Sequence, residues 1–138
     1  MKVIVCLDDN GGMTFGGRRQ SRDKALLADI ASDVTASGMP LLASPFSQKL
    51  LEEAGVLHVV CDNPLVCAKE GQMCFIENLA LCEYVDKISE LVVYRWNRKY
   101  PSDRKIDVDI DVCFKLTSAL DFAGNAHEKI SKLVYTKR

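Results

Sequence analysis

Short apolar runs alternate with amphipathic stretches along the first two thirds of the chain. The first run, Val3–Leu7, is followed by a polar loop with glycines at 11, 12, 16 and 17, and then by a stretch whose apolar residues recur at helical spacing. Those apolar residues are Leu26, Leu27, Ile30 and Val34. Ser21 or Asp23 is expected to cap this helix, and Gly38 to end it. The pattern predicts a strand, a mobile loop and a helix.

The same alternation continues to about residue 85. The pattern predicts strands at 41–43, 56–61 and 72–76, a helix from Ser44 to Glu53 with Pro45 in its first turn, and a helix from about Asn78 to Val85. The pattern does not decide which element residues 65–69 form. Because strand and helix alternate four times, we expect a parallel sheet with helices on its faces.

The C-terminal third has a different pattern. Segments 88–96, 106–110, 112–122 and 130–136 show alternation and β-branched residues without intervening helices, and the last two form a predicted hairpin across Gly124-Asn125. Antiparallel strands are therefore expected at the end of a parallel sheet. The prediction is a single α/β domain over residues 1–138, with three layers, a mixed but mostly parallel sheet and flanking helices.

Composition narrows the classes of function. The 138 residues carry a formal net charge of −1, which provides no global field to attract nucleic acid or an anionic membrane. The chain opens directly on a strand and has no long apolar span, so we expect a cytoplasmic protein without a membrane contact. Most of the six cysteines lie in apolar runs, where they behave as small hydrophobes. With no C-x-x-C pair and only two histidines, a metal site is not expected.

The segment Arg18–Asp23 is the strongest candidate for binding a ligand. It places three guanidinium groups beside a helix N-terminus, where free N–H groups and the helix dipole favour an anion. Asp8, Asp9 and Asn10 follow the first strand, at the sheet edge where α/β proteins bind ligands. Candidate ligand-binding residues are therefore Asp8, Asp9, Asn10, Arg18, Arg19, Gln20, Ser21, Arg22 and Asp23. The alternatives are a solvated loop whose arginines pair with Asp8, Asp9 or Asp23, and a turn-and-cap role for the acidic residues.

Two further clusters have alternative interpretations. The segment Tyr94–Tyr100 interleaves aromatic and basic residues, as single-stranded nucleic-acid sites do, but alternation along a strand favours Trp96 at a core edge or subunit contact with Arg95 in solvent. Nucleic-acid binding is therefore not the expected function, and a homodimer stays open. Asp107, Asp109 and Asp111 alternate on a predicted strand, which suits either a cation or a solvated face.

Several segments in order resemble the dihydrofolate reductase family. Leu7–Thr14 resembles the family's apolar strand followed by Asp-x-Asn-x-Gly-Ile-Gly, with departures at Met13 and Thr14. Asp86–Leu91 is similar to the entry to the sixth strand, Asp103–Ile106 to Asp-Thr-x-Phe, and Lys132–Arg138 to the final strand. The resemblance covers nearly the whole chain and implies a dihydrofolate reductase-like fold.

The family's functional positions are not matched. Where reductases have Leu-Pro-Trp, this chain has Arg19-Gln20-Ser21, and the position of the carboxylate that helps protonate the substrate falls on Leu26. Asp23 lies three residues before Leu26, and Asp29 lies three residues after it. The phosphate-binding Gly-Arg-x-Thr corresponds to 43–46, Ala-Ser-Pro-Phe, and the Gly-Gly pair to Glu77-Asn78. The resemblance thus implies a shared fold more strongly than a shared reaction.

Three functions follow as hypotheses. The first is a protein that has lost standard reductase activity, has no assigned catalytic residue, and binds a small anionic or nucleotide-like ligand between its first loop and the sheet edge. The second is a divergent NADPH-dependent reductase of the same superfamily. The third is a module that binds RNA or a protein.

Overall fold

The computed structural model describes residues 1–138 and contains ten strands and four α-helices. The strands are β1 (Lys2–Leu7), β2 (Gly12–Phe15), β3 (Arg18–Arg19), β4 (Leu41–Ala43), β5 (His58–Val60), β6 (Met73–Phe75), β7 (Glu90–Arg95), β8 (Arg104–Lys105), β9 (Phe114–Phe122) and β10 (Ile130–Lys137). The helices are α1 (Lys24–Ser37), α2 (Pro45–Glu53), α3 (Pro64–Cys67) and α4 (Ile110–Cys113), with a 3₁₀ helix at Cys82–Lys87.

Seven strands form one mixed sheet in the order β5-β4-β6-β1-β7-β10-β9. The strands from β5 to β7 are parallel, and β10 pairs antiparallel with both β7 and β9. Strand β1 is central, and Val3, Ile4 and Val5 are each at most 1% exposed, as expected for a strand that is covered on both faces. The predicted fold class is confirmed.

The two faces of the sheet bury separate apolar clusters. Helices α1 and α2 cover one face, where Leu26 and Ile30 of α1 pack in the same cluster as Ile4 and Tyr94. On the other face, Val3 and Val5 belong to a cluster that includes residues of α3, the 3₁₀ helix and α4. Helix α1 begins after Asp23 and ends at Gly38, whose φ of 73° is left-handed, so the predicted start and end of this helix are confirmed.

Some predicted elements differ from the structure. The expected helix from Asn78 to Val85 is a shorter 3₁₀ helix that begins at Cys82. The expected strand at 106–110 does not form, because Asp107 accepts hydrogen bonds from the N–H groups of Leu81 and Cys82 instead of alternating on a strand. Asp109 caps the short helix α4. The acidic residues 107–111 therefore do not line a strand face.

The polar loop after β1 is more ordered than its glycines suggested. Strands β2 and β3 form a hairpin whose tip is Gly16-Gly17, both with positive φ, and β8 pairs with the other side of β2. This small three-stranded sheet stands at the carboxyl end of β1. No helix of the protein has the length and apolar character that a membrane span requires.

Candidate functional site

A narrow cleft lies at the carboxyl ends of β1, β6 and β7, behind the segment that joins β3 to α1. Two adjoining cavities occupy it, and both are lined by Cys6, Ser21, Glu77 and Trp96. Each provides about 10 Å³, which is roughly the room that one water molecule needs. The protein's own side chains therefore fill most of the cleft.

An ion pair between Arg19 and Glu77 closes one side of the cleft. Arg19 Nε and Nη2 donate to the two carboxylate oxygens of Glu77 at 2.8 and 2.9 Å, and Ser47 Oγ donates to the same carboxylate at 2.7 Å. The Arg19 guanidinium also lies 5.1 Å from the centre of the Phe46 ring. The hydrogen bonds from Arg19 to Glu77 raise the pKa of this guanidinium. A fork-shaped cation and a planar carboxylate are thus already matched inside the cleft.

The three candidate arginines do not converge. Arg18 is exposed on the hairpin, whereas Arg22 pairs at 3.0 Å with Glu53, and both of those side chains are about half exposed. The alternative in which the arginines pair with Asp8, Asp9 or Asp23 was wrong, because Glu77 and Glu53 are the partners. Of the three arginines, Arg19 alone belongs to the lining of the inner cavity that borders β2.

Asp8 is a buried turn residue. It accepts hydrogen bonds from the N–H groups of Asn10, Gly12 and Tyr100 at 2.9, 2.7 and 3.0 Å. Burial alone would raise the pKa of Asp8, but these backbone donors outweigh it and hold the pKa below its usual value. Asp9 and Asn10 are exposed at the same turn. Asp8 therefore holds the hairpin against the sheet and has no proton to give at neutral pH.

Gln20 lines the cavity that borders β2 and has a buried acceptor without a partner. Its Nε2 donates to the Pro101 carbonyl at 3.3 Å, whereas its Oε1 is buried and has no hydrogen-bond partner in the protein. Because a buried acceptor without a partner costs free energy, such atoms are frequently satisfied by water or a ligand. Gln20 and Arg19 line the same cavity.

Asp23 connects helix α1 with the loop between β9 and β10. Its carboxylate accepts from the N–H groups of Ala25 and Leu26 on the helix side, and from those of Asn125 and Ala126 on the loop side. Burial alone would raise the pKa of Asp23, but the hydrogen bonds outweigh it and hold the pKa far below its usual range.

His127 completes this cluster. Its Nδ1 lies 3.0 Å from Asp23 Oδ2, and its Nε2 lies 3.1 Å from Ser21 Oγ and 2.9 Å from the hydroxyl of Tyr100. The ring is stacked on Trp96 at 4.6 Å and is 4% exposed. Sequence reasoning missed His127 because it lies 104 positions from Asp23, in the loop between β9 and β10. A lone histidine gave no signal of this contact.

Leu26, which the sequence resemblance aligned with the reductase carboxylate, is buried in the structure. Leu26 is 1% exposed and lines the cleft together with Asp23. Asp29 does not reach the cleft, because it accepts a 2.6 Å hydrogen bond from Tyr94 and pairs with Lys132 at 2.8 Å. Of Asp23 and Asp29, only Asp23 lines the cleft, and its donors are all provided by the protein.

Two grooves outside the cleft have volumes of about 400 Å³ or more. One of about 660 Å³ borders the hairpin and is lined by Arg104, Lys105 and Asn78, whose Oδ1 is buried without a hydrogen-bond partner. The other, about 400 Å³, lies at the opposite end of the sheet, where Lys132 is already paired with Asp29 and Asp33. The first groove also contains Asp103, but neither Arg104 nor Lys105 forms an ion pair.

Other groups that would mark a cofactor or metal site are not brought together. No group of three or more histidine, cysteine or acidic side chains is arranged to hold a metal ion. At the start of α2, Ser44 makes no capping hydrogen bond, and neither arginine nor threonine is present in the 43–46 segment. Tyr94 and Trp96 are buried, so their rings are not available to stack on bases.

Comparison with known proteins agrees with the architecture. No protein-family model matches this chain, and no curated protein sequence matches it. Among solved structures, it is similar to dihydrofolate reductase from Enterococcus faecalis complexed with NADP(H) and RAB-propyl, with a TM-score of 0.66 and 9% identity. The match covers 99% of this chain and 95% of that one. The chain therefore has the dihydrofolate reductase-like fold.

Proposed function

We propose that the protein binds a small anionic or nucleotide-like ligand at the carboxyl edge of its sheet, with Arg19 as the principal anion contact. The observation that carries this proposal is the bidentate pair between Arg19 and Glu77. Glu77 occupies the position that a ligand carboxylate or phosphate would take on the guanidinium fork. A ligand displaces it, and the unpaired acceptor of Gln20 provides a second contact in the same cavity.

The outer groove supports the nucleotide-like part of the proposal. Arg104 and Lys105 stand on β8, next to the hairpin that carries Arg19, and make no ion pair with an acidic side chain. A ligand with a phosphate at the groove and a second polar group in the cleft would contact both sites. A small anion alone would use Arg19 without reaching β8.

Standard reductase activity is proposed to be lost. Leu26 cannot donate or accept a proton, and the oxygens of Asp23 are occupied by protein donors. General acid–base assistance is typically worth about 10²–10⁴-fold in rate. The alternative, a divergent NADPH-dependent reductase, predicts NADPH oxidation with an added substrate. With dihydrofolate as the substrate, we expect no NADPH oxidation above the background measured without protein.

A pair of matched variants tests the anion site. Because a hydrogen bond to a charged group contributes about 1.5–3 kcal/mol, we expect Arg19→Gln to weaken ligand binding roughly ten- to a hundredfold. Glu77→Gln keeps the shape of the side chain but frees the guanidinium, so it should tighten binding. Calorimetric titration with inorganic phosphate and with AMP, and fluorescence titration with NADPH, would measure both effects.

The controls separate the two subsites and the two hypotheses. Arg22→Gln changes an exposed arginine that is paired with Glu53, and we expect unchanged binding. Arg104→Gln should weaken the binding of AMP and of NADPH but not the binding of phosphate. Equal affinity of the wild type, Arg19→Gln and Glu77→Gln for every probe would refute the proposal. NADPH consumption during the dihydrofolate assay would favour the reductase alternative.

The third hypothesis, an RNA- or protein-binding module, is not supported by the aromatic stretch. Trp96 is 4% exposed and packs on His127, so replacing it would disturb the interior rather than a contact surface. We further propose a homodimer, favoured by the unpaired edge of β9, where Leu116 and Leu120 are about half exposed. A cytoplasmic location is also proposed, and the six free cysteines suit a reducing compartment.

A further inference from the structure

We propose that Ser21 is a nucleophile that accepts an acyl group from small carboxylic esters, with His127 as its general base and Asp23 as the residue that orients the ring. This activity is separate from anion binding at Arg19 and does not depend on it. The proposal rests on the contacts among three side chains that come from the β3–α1 segment and from the loop between β9 and β10.

The distances meet the requirements of an activated serine. A nucleophile and its base must be within about 2.6–3.2 Å, with the base held by a third group. Ser21 Oγ lies 3.1 Å from His127 Nε2, and Nδ1 of the same ring lies 3.0 Å from Asp23 Oδ2. The serine and the carboxylate are thus on opposite nitrogens of one imidazole, in the order that proton transfer requires.

The hydrogen bonds around Asp23 determine which nitrogen carries the proton. The carboxylate is ionised, because its pKa is held far below the usual range, so it can only accept a hydrogen bond. His127 Nδ1 must therefore donate to Asp23, and in the neutral ring Nε2 presents its lone pair to Ser21. Four backbone N–H groups fix the carboxylate, and stacking on Trp96 fixes the plane of the ring.

The Ser21 side chain lines the cleft, whereas the His127 ring does not. It is partly exposed and lines both cavities, whereas His127 is 4% exposed. The other nucleophile in the lining, Cys6, is less suited to attack. Burial, and then the negative charge of Glu77, raise the pKa of the Cys6 thiol well above its usual range, so it remains protonated. Ser21 is therefore the activated group at this surface.

The proposed step is an acyl transfer from oxygen to oxygen. Ser21 Oγ forms a bond to the ester carbonyl carbon while its proton passes to His127 Nε2, which gives a tetrahedral oxyanion. Collapse of this intermediate breaks the bond to the alkoxide oxygen, and the leaving alcohol takes the proton from Nε2. Water then attacks the acyl-serine with His127 again as base and releases the carboxylic acid. The reaction is a hydrolysis and consumes no oxidant or reductant.

Tyr100 shares the same lone pair. Its hydroxyl lies 2.9 Å from His127 Nε2, so it competes with Ser21 for the base in the resting state. Removal of this hydroxyl leaves Ser21 as the remaining side-chain donor to Nε2. Tyr100→Phe is therefore expected to preserve or increase the rate at which Ser21 is acylated.

The test is acetylation by p-nitrophenyl acetate, followed by release of nitrophenol and by peptide mass spectrometry. We expect Ser21 to be acetylated at least about a hundredfold faster than Ser118, an exposed serine on β9. Ser21→Ala should remove both the label and the nitrophenol burst. Ser118→Ala is the matched control and should leave both unchanged.

A second variant keeps the test independent of folding. His127→Gln retains groups that can bond to Asp23 and Ser21 but has no basic nitrogen, so the melting temperature should change little while acetylation of Ser21 falls to the level of Ser118. If this variant labelled Ser21 as fast as the wild type, or if Ser21 reacted no faster than Ser118, the proposal would be overturned. Loss of phosphate binding in Arg19→Gln would leave these results unaffected.

Discussion

Asp23 links helix α1 to the loop between β9 and β10. It caps α1, accepts two N–H groups of the β9–β10 loop and contacts His127, so one carboxylate joins the first helix to the last hairpin. Gly124 is required beside it, because a Cβ at that position would lie 2.7 Å from Asp23 Oδ2 and 2.6 Å from the His127 carbonyl oxygen. Any larger residue at 124 would separate the helix from the loop.

The stability of the protein should depend on the ionisation of Asp23. The folded pKa is below that of an unfolded aspartate, about 3.9, so the contribution is fully present above the unfolded pKa and decreases as the pH falls below it. We expect urea midpoints to drop between about pH 5 and pH 3. In Asp23→Asn, which removes the titrating group, the midpoint should be lower at neutral pH and vary less with pH.

Asp9→Asn is the control for this measurement, because Asp9 is exposed at the turn after β1. It should retain the wild-type pH dependence. Asp8→Asn would be a poor control, since three backbone donors outweigh the effect of burial and also give Asp8 a lowered pKa. A wild-type midpoint that rose on acidification, or an Asp23→Asn curve parallel to the wild type, would contradict the assigned role of the carboxylate.

At the scale of elements, the β2–β3 hairpin determines whether the cleft is open. It carries Arg19, and only two residue pairs join β2 to β3, Thr14 with Arg19 and Phe15 with Arg18. Its tip is Gly16-Gly17, and its base is packed so closely that a Cβ on Gly12 would lie 2.5 Å from Gln20 Nε2. With about 10 Å³ in each cavity, a ligand can enter only if this hairpin moves.

Hydrogen exchange should detect that movement. Few buried apolar contacts and short ladders favour local opening, so we expect amides of 12–20 to exchange much faster than those of β1, because β1 is paired with β7 over six residues whereas β2 has two pairs with each neighbour. Glu77→Gln removes the charged partner of Arg19 and should increase exchange in the hairpin without changing β1. Addition of AMP should slow hydrogen exchange in the hairpin. Equal protection of the hairpin and β1 would mean that the cleft does not open in this way.

The elements that the sequence predicted correctly depend on local chemistry. The cap at Asp23 and the end at Gly38 are determined by residues within one turn of the helix, so α1 was predicted with nearly its true bounds. The Arg19–Glu77 pair joins residues 58 positions apart, and the partner of Asp107 lies 26 positions away. Neither contact has a periodic signal. The candidate site was therefore chosen from its strand and loop, whereas the Arg19–Glu77 pair and the contacts of His127 were not predicted.

At the scale of the whole molecule, alternation predicted a parallel sheet followed by antiparallel strands, because burial on both faces produces continuous apolar runs. The strand order was not available from the pattern, since β6 and β7 flank β1 through long connections. The finished sheet leaves two edges, β5 and β9. Strand β5 has three residues, whereas β9 has nine, so β9 is the longer unpaired edge.

The proposed homodimer predicts that two β9 edges meet antiparallel around Ser118. The ladder between β9 and β10 shifts at Val134/Tyr135, which leaves Thr117 without a partner and places Leu116 and Leu120 on opposite faces of the sheet. We therefore expect a dimer in which these leucines cover both faces of the shared edge. Light scattering with size-exclusion chromatography should give twice the 15.3 kDa chain mass at tens of micromolar.

Leu116→Lys combined with Leu120→Lys should convert this dimer to a monomer, because four added cations would replace the apolar side chains along the shared edge. The matched control is Leu57→Lys with Val59→Lys, which alters exposed apolar residues at the opposite edge and should leave the mass unchanged. Melting curves of both double variants would show that the fold is retained, since all four side chains are about half exposed or more. A monomeric wild type, or a dimer that is broken by the β5 pair and not by the β9 pair, would rule out association through β9.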